Sequence, residues 1–132
     1  DGAEYDYYTT TKGVLEKVKA HVGDVDFAVQ PELVSLLSSR NFGRYADEKG
    51  EMKVCFISNN DITGGNSGSA MFNSKGELLG LAFDGNWEAM SSDILYEPKM
   101  QRTIGVDVRY ILFMIEKYGK AGNLIKELNI IN

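Results

Sequence analysis

The segment from Asn59 to Gly68 restricts the fold most, because it consists almost entirely of Gly, Asn, Ser, Asp and Thr. Such a composition fits neither the period of a helix nor that of a strand, and it indicates a loop. Apolar segments bounded by turn residues flank this loop and predict strands that would present it to solvent. The predicted strands are Met52 to Ser58, Ser69 to Phe72 and Glu77 to Phe83, the last two joined by a hairpin turn at Asn73-Ser74-Lys75-Gly76.

The other segments carry weaker patterns, and together they predict antiparallel β structure with two peripheral helices. The second helix is expected to bury an apolar stripe made of Ile111, Leu112, Met114 and Ile115. The predictions are a short strand or bend from Gly13 to Val18, a helix from Pro31 to Ser39 or Arg40, a loop from Asp84 to Asp93, a strand from Thr103 to Val108, a helix from Tyr110 to Tyr118 ended by Gly119, and a last helical turn from Leu124 to Leu128.

The composition is typical of one globular domain, with 132 residues, 43% of them hydrophobic and 25% charged. The formal net charge of -5 opposes binding to nucleic acid or to an anionic membrane, and no apolar run is long enough to span a bilayer. No cluster of His, Cys and carboxylates has metal-ligand spacing, so we expect neither a metal nor a cofactor. The single cysteine, Cys55, excludes an internal disulfide and is expected to be a small buried hydrophobe.

Ser67, in the run Gly64-Gly65-Asn66-Ser67-Gly68-Ser69, is the candidate nucleophile. A serine hydroxyl needs a base to take its proton and donors to hold the oxyanion that forms. A tight loop with glycine on both sides lets the main-chain N–H groups of Gly65 and Ser67 point at one spot, while Gly68 keeps bulk away from the substrate. A strand follows the serine, which excludes a nucleophile elbow. On composition alone, a flexible hairpin connection is the competing interpretation.

Several segments resemble the S46 family of bacterial dipeptidyl peptidases, and the resemblance covers nearly the whole chain in order. The run from Asn60 to Ser69 is similar to the active-site segment of that family. The other similar segments are Asp6 to Thr10, Phe42 to Asp47, Gly76 to Met90, Gln101 to Ile104 and Asp107 to Tyr110. One departure is Ala70, where the family usually has Pro; this change loosens the backbone without altering Ser67 or its neighbouring amides.

The resemblance implies a mainly β fold that is part of a chymotrypsin-like double β-barrel. Residues 1–132 would be its serine-bearing, C-terminal segment, cut from a longer chain. Ser67 would be the nucleophile, and Gly65 and Ser67 would supply the oxyanion-hole amides. Asp84 would bind the free α-amino group of a peptide substrate by a charge-assisted hydrogen bond; capping of a turn is the competing interpretation. The family further implies a homodimer and a periplasmic or cell-surface location.

By resemblance, Gly85 matches the position that distinguishes substrate specificities within the S46 family. Family members that prefer acidic P1 side chains look like they carry Arg at this position. A glycine offers no positive charge and leaves space. The resemblance therefore implies a preference for bulky hydrophobic P1 residues. Trp87, close by in sequence, is expected to pack near the cleft.

His21 is the only histidine in the chain, and it matches no base of the family. Because the family's catalytic His and Asp come from upstream sequence, the chain alone is expected to be inactive. Two alternatives stay open: a non-catalytic trypsin-like binding or scaffold module, and an endopeptidase that lacks the α-amino clamp. For Asp107 and Arg109 we expect an exposed ion pair of little energetic weight.

Overall fold

The computed structural model describes residues 6–91 and 94–131. These residues form a five-stranded sheet with the order β1-β2-β5-β4-β3. Strand β2 pairs with β5, β5 with β4, and β4 with β3, and all three pairs are antiparallel. The predicted antiparallel sheet is therefore confirmed. The strands are β1 (Tyr8–Thr10), β2 (Lys53–Ser58), β3 (Ala70–Phe72), β4 (Leu78–Gly85) and β5 (Thr103–Asp107).

The helices agree with the sequence patterns in part. The predicted helix at Pro31 is confirmed, and Gly119 does end the later helix, where its N–H donates to the Met114 carbonyl at 2.7 Å. The last helical turn comes earlier than predicted. The helices are α1 (Thr11–Ala20), α2 (Pro31–Ser38), α3 (Val108–Phe113), which continues as a π-helix over Met114–Tyr118, and α4 (Gly122–Ile125), with 3₁₀ turns at Val25–Phe27, Gly43–Tyr45 and Trp87–Ser91.

The prediction of a short strand or bend at Gly13 to Val18 is wrong, because these residues lie inside helix α1. Gly13 and the β-branched valines argue against a helix on propensity alone. The half-buried side chains of Val14, Leu15 and Val18 nevertheless share one helical face. Lys17 and Lys19 occupy the last turn, where positive charge favours a helix.

The chain divides into two compact units, each with its own interior. The helical unit comprises Thr10–Lys53 and the described residues from Arg109 onward. Its interior centres on Phe113, which is fully buried and makes edge-to-face contacts with Phe42 and Tyr45 at ring-centroid distances of 5.8 and 6.1 Å. The predicted stripe omitted Phe113; of its members, Leu112 is buried and the other three are half-buried.

The sheet unit comprises Val54–Val108 and the described residues up to Thr9. Its strands approach so closely that a Cβ at Gly80 would lie 2.1 Å from the Val106 carbonyl oxygen and 2.8 Å from the Phe56 ring. The same ring lies over Gly105 on the neighbouring strand. Glycine at these two positions thus lets an aromatic side chain cover the sheet, which fixes the strands that carry the loop at Ser67.

Two expectations for side chains of the sheet unit need correction. Asp107 is only 5% exposed, so the expected exposed position is wrong for this residue; it lies on strand β5 opposite Gly80, in the interior of the sheet. Cys55 is half-buried, not fully buried as expected, and its main-chain N–H donates to the Thr9 hydroxyl oxygen at 3.2 Å. Burial raises the pKa of the Cys55 thiol, which is consistent with a structural residue.

Candidate active site

The glycine-rich loop folds as two consecutive β-turns that share Asn66. In the first turn, the N–H of Asn66 donates to the Thr63 carbonyl at 3.1 Å. In the second, the N–H of Ser69 donates to the Asn66 carbonyl at 2.9 Å. The third residue of each turn is a glycine with positive φ, +100° at Gly65 and +87° at Gly68, as type II turns require. The sequence Gly-Gly-Asn-Ser-Gly-Ser thus specifies two turns, and Ser67 is the second residue of the second turn.

The two amides that flank Asn66 are the ones left open by this arrangement. The N–H groups of Asn66, Gly68 and Ser69 all have main-chain acceptors. Within residues 6–91 and 94–131, by contrast, no acceptor bonds the N–H of Gly65 or the N–H of Ser67. Unbonded backbone donors on either side of one residue are what an anionic oxygen needs as partners.

The loop is tied to strand β4 by a short ladder. The N–H of Gly68 donates to the Ala82 carbonyl at 2.7 Å, and the N–H of Ala82 donates to the Ser69 carbonyl at 2.9 Å. Ala82 is buried and lies opposite Gly105 on β5. A loop of flexible residues is therefore anchored to an interior strand of the sheet.

A β-bulge lies beside Ser67. Ala82 pairs with Gly105 and Asp84 with Ile104, so Phe83 is the extra residue on strand β4. The Phe83 carbonyl accepts a long hydrogen bond, 3.4 Å, from the Ser67 hydroxyl. Ser67 is exposed, and its hydroxyl is only loosely held. It is therefore accessible both to a base and to a substrate carbonyl.

Ser67, Asp84 and Gly85 line one cleft of about 260 Å³. Gly65 does not line it but lies in the first turn, next to the lining residue Gly64. Half of the side chains that the described residues contribute to the cleft are apolar and half are polar, with Asp84 as the one charged group. The full lining is Ile62, Thr63, Gly64, Ser67, Phe83, Asp84, Gly85, Asn86, Ala89 and Met90.

The carboxylate of Asp84 is exposed and accepts the N–H of Gly85 at 2.8 Å. This local bond orients the side chain at the rim of the cleft. A carboxylate has about four acceptor sites, so one such bond leaves capacity for a second donor. Asp84 can thus act at once as the turn-like cap and as a binding group, the two interpretations that the sequence left open.

Gly85 is closely packed against the 3₁₀ turn Trp87–Ser91. A Cβ at position 85 would lie 2.8 Å from the methyl carbon of Ala89, closer than two carbons can approach without movement. Asn86 holds this turn in place, since its side-chain amide donates to the Met100 carbonyl at 2.8 Å and its side-chain oxygen accepts the N–H of Arg102 at 2.8 Å. The expectation that Trp87 packs near the cleft is wrong: its side chain is 81% exposed, because the turn packs Ala89 against Gly85.

Sequence reasoning missed three members of the site. Asn66 was given no role of its own, although Asn is a common turn residue that bonds nearby main chain. Phe83 was placed in a regular strand, and no local signal marks the bulge. Ala89 fell in the predicted loop from Asp84 to Asp93, whose end lies outside the described residues.

His21 belongs to the helical unit and has a local role there. Its ring stacks on Phe27 at a centroid distance of 4.0 Å, and its Nδ1 lies 3.0 Å from the Lys17 carbonyl oxygen at the end of α1. The described part of the chain holds no group of three or more His, Cys, Asp or Glu side chains that could bind a metal ion. No helix among the described residues is both long and apolar enough to cross a membrane.

The profile of the Peptidase S46 family matches residues 1–130, nearly the full chain. The chain belongs to the peptidase S46 family. It is 60% identical to a protein named Dipeptidyl-peptidase 7 from Porphyromonas endodontalis, over 99% of this chain and 16% of the relative. It is 44% identical to a protein named Asp/Glu-specific dipeptidyl-peptidase from Porphyromonas gingivalis, over 99% of this chain and 18% of the relative.

A solved structure of an S46 protein has the same fold. The crystal structure of Porphyromonas endodontalis DPP11 in complex with the dipeptide Arg-Asp superposes with a TM-score of 0.91 at 42% sequence identity. The match covers 96% of this chain and 18% of the DPP11 chain. The chain thus spans less than a fifth of the length of these relatives.

Proposed function

We propose that the full-length protein is a serine-type dipeptidyl peptidase and that Ser67 is its nucleophile. One observation carries this proposal: an accessible serine hydroxyl lies in a loop whose turns leave the amides of Gly65 and Ser67 without an acceptor among the described residues. The names of the S46 relatives support the reaction class.

The proposed chemistry is acyl transfer. The hydroxyl oxygen of Ser67 attacks the scissile carbonyl carbon while a base takes the hydroxyl proton, and the carbonyl oxygen becomes an oxyanion. The N–H groups of Gly65 and Ser67 stabilise that charge, and the C–N bond then breaks as the leaving amine receives the proton. Water hydrolyses the ester left on Ser67, which releases the dipeptide as a carboxylic acid and restores the hydroxyl. The base comes from sequence outside this chain, since the single histidine, His21, is engaged at the end of a helix. By itself, the 132-residue chain would be inactive.

Asp84 makes the proposed enzyme a dipeptidyl peptidase, which acts at the N-terminus of its substrate, instead of an endopeptidase. Its exposed carboxylate lines the same cleft as Ser67 and keeps acceptor capacity beyond the Gly85 amide. A carboxylate there selects a substrate ammonium group by a charge-assisted hydrogen bond. The fixed separation between ammonium and scissile bond would then set the length of the released product.

A preference for hydrophobic P1 side chains is the finer part of the proposal. Gly85 carries no charge, and Ile62, Phe83 and Met90 give the described cleft an apolar wall. A negatively charged P1 side chain would lose its hydration there without gaining a cationic partner from the described lining. The relatives named Asp/Glu-specific share 40 to 47% identity with this chain, against 50 to 60% for those named Dipeptidyl-peptidase 7.

The Ser67→Ala variant of the full-length protein tests the nucleophile. We expect kcat for a fluorogenic dipeptidyl substrate to fall on the order of 10⁶-fold, because the covalent step is lost. Ser69→Ala is the matched control: it removes a hydroxyl from the same loop but leaves both turns intact. Activity that survives Ser67→Ala refutes the assignment, and a wild-type protein that neither cleaves peptides nor reacts with a fluorophosphonate favours the scaffold alternative.

Blocking the substrate's N-terminus tests the clamp. Acetylation of the α-amino group should abolish cleavage by the wild-type enzyme. The variant Asp84→Asn should raise KM for substrates with a free N-terminus by roughly 10- to 100-fold, as expected for loss of a charged hydrogen bond. Equal cleavage of blocked and free substrates would instead indicate an endopeptidase.

The specificity test must take Ala89 into account. Gly85→Arg alone forces a Cβ against the Ala89 methyl, so the double variant Gly85→Arg/Ala89→Gly is the informative one. We expect it to gain cleavage after Asp and Glu relative to Leu and Phe, while Ala89→Gly alone keeps the hydrophobic preference. A double variant that still cleaves after Leu, with no gain after Asp or Glu, contradicts the proposed role of position 85.

A further inference from the structure

We infer that Asn66 is a positioning residue, which holds the Gly65 and Ser67 amides in the arrangement that receives the oxyanion. This inference rests on the proposed peptidase function. Three polar groups of Asn66 each make a bond within the loop. Its N–H donates to the Thr63 carbonyl at 3.1 Å, its side-chain oxygen accepts the Thr63 N–H at 2.8 Å, and its carbonyl accepts the Ser69 N–H at 2.9 Å.

The side-chain bond matters because the first turn is otherwise weakly determined. Gly64 and Gly65 occupy its two central positions, and glycine is the residue with the widest range of backbone conformations. Without the Asn66 side chain, this turn in an exposed loop would keep the main-chain hydrogen bond from Asn66 to Thr63 but lose the bond that the Thr63 N–H makes to Asn66. A second bond to the same Thr63 residue restricts the turn, and with it the direction of the Gly65 N–H.

The second turn is held differently, and this difference isolates the role of Asn66. Gly68 and Ser69 are tied to Ala82 on strand β4 by two main-chain bonds. The turn that contains Ser67 therefore stays anchored when the Asn66 side chain is removed. The Gly65 amide is the one expected to drift, which would deprive the oxyanion of one of its two donors while leaving the nucleophile in place.

Asn73 provides a matched control. Its side-chain oxygen accepts the N–H groups of Lys75 at 2.9 Å and Glu77 at 3.0 Å, so it closes the β3–β4 hairpin turn as Asn66 closes the loop. Asn73 does not line the cleft. Removal of the Asn73 side chain costs these two bonds and its donation to the Glu77 carboxylate at 2.5 Å, whereas removal of the Asn66 side chain costs one bond, and only Asn66 adjoins the proposed oxyanion donors.

The test uses the full-length enzyme with Asn66→Ala and Asn73→Ala. We expect Asn66→Ala to lower kcat, and the affinity for a dipeptidyl boronic acid, roughly 10- to 100-fold, because a boronic acid forms a tetrahedral anionic adduct with serine. KM and the affinity for a dipeptidyl alcohol, a product analogue that lacks the terminal carboxylate, should change by less than about threefold, since these complexes contain no oxyanion. Asn73→Ala should leave all four quantities within about threefold of wild type.

Asn66→Ser sharpens the test and replaces Asn66→Ala if that variant does not fold. A serine hydroxyl can accept a nearby main-chain N–H, but more weakly than an asparagine, so its kcat should lie between those of wild type and Asn66→Ala. The positioning role is refuted if Asn66→Ala has the same kcat and boronic acid affinity as Asn73→Ala. Where Asn66→Ser replaces Asn66→Ala, the role is refuted if Asn66→Ser has the kcat and boronic acid affinity of wild type. If wild-type Ser67 is not labelled by a fluorophosphonate, the proposed function itself fails; labelled wild type with unchanged Asn66 variants refutes this inference alone.

Discussion

The sheet unit and the helical unit bury different kinds of groups. In the helical unit, the fully buried side chains are large and mostly apolar, and Phe42 and Tyr45 each make an edge-to-face contact with Phe113. In the sheet unit, the most buried side chains are small or polar, such as Ala82, Thr103 and Asp107, whereas many large apolar side chains are exposed, among them Phe72, Phe83, Trp87, Met90, Ile94 and Leu95.

Because of this difference, we expect different residues to determine the free energy of unfolding and the rate of the proposed reaction. The helical unit depends on aromatic packing, which is sensitive to lost volume. The candidate site in the sheet unit depends on turn geometry and main-chain bonds, in which few side chains take part. We therefore expect substitutions in the aromatic cluster to change the free energy of unfolding with little effect on kcat, and substitutions in the loop to do the reverse.

Phe113→Ala should have the largest effect on stability. It removes a fully buried aromatic ring, and we expect the free energy of unfolding of the full-length protein to fall by about 3–5 kcal/mol. Denaturant titration measures this loss, and kcat per folded molecule should stay near the wild-type value. Leu124→Ala, at a half-exposed position of the same unit, is the control, with a loss below about 1 kcal/mol. A large fall in kcat of folded Phe113→Ala would break the proposed separation.

Tyr45→Phe should have an intermediate effect. The Tyr45 hydroxyl, on a nearly fully buried residue, donates to the Glu116 carboxylate at 2.5 Å, and the variant loses that bond while keeping the ring contacts. We expect a loss of about 1–3 kcal/mol, since the acceptor is charged. Thermal unfolding checks the value; an unchanged unfolding temperature would mean that the bond adds nothing to the aromatic packing.

Acidification should reduce the stability difference between wild type and Tyr45→Phe, and this change is the smallest of the three effects on the free energy of unfolding. The Tyr45 hydroxyl, followed by Lys117 and Arg44, holds the pKa of Glu116 below its ordinary value of 4.5. A carboxyl with a lowered folded-state pKa contributes stability that is present above the unfolded value and is lost as pH falls through the folded one. The stability difference between wild type and Tyr45→Phe should therefore be greatest above pH 4.5 and shrink below it. A difference that is constant with pH would show that the charge on Glu116 is irrelevant.

The features of the fold that could be predicted from sequence are those determined by the types of neighbouring residues. The glycines of the Ser67 loop, Pro31 and the turn at Asn73-Ser74-Lys75-Gly76 each restrict the backbone within a few residues, and the structure follows them. Asp84 and Gly85 were placed by resemblance to the S46 family, and the cleft does bring them to Ser67.

The parts that could not be predicted depend on contacts between distant residues. The bulge at Phe83 arises from the register between strands β4 and β5, which no local pattern records. Helix α1 forms despite Gly13 and its valines, because one of its faces is half-buried. Phe113 lies within the predicted apolar stripe but was not a member of it, and its contacts with Phe42 and Tyr45 explain why it is more deeply buried than Leu112.

A crystal structure of the full-length enzyme bound to a dipeptidyl boronic acid tests the central claim most directly. We predict a bond from boron to the Ser67 hydroxyl oxygen, with one boronate oxygen about 2.7–3.1 Å from the nitrogens of both Gly65 and Ser67. A boronate attached to a different residue, or one whose oxygens are bound by other donors while these two amides point away, would contradict the account.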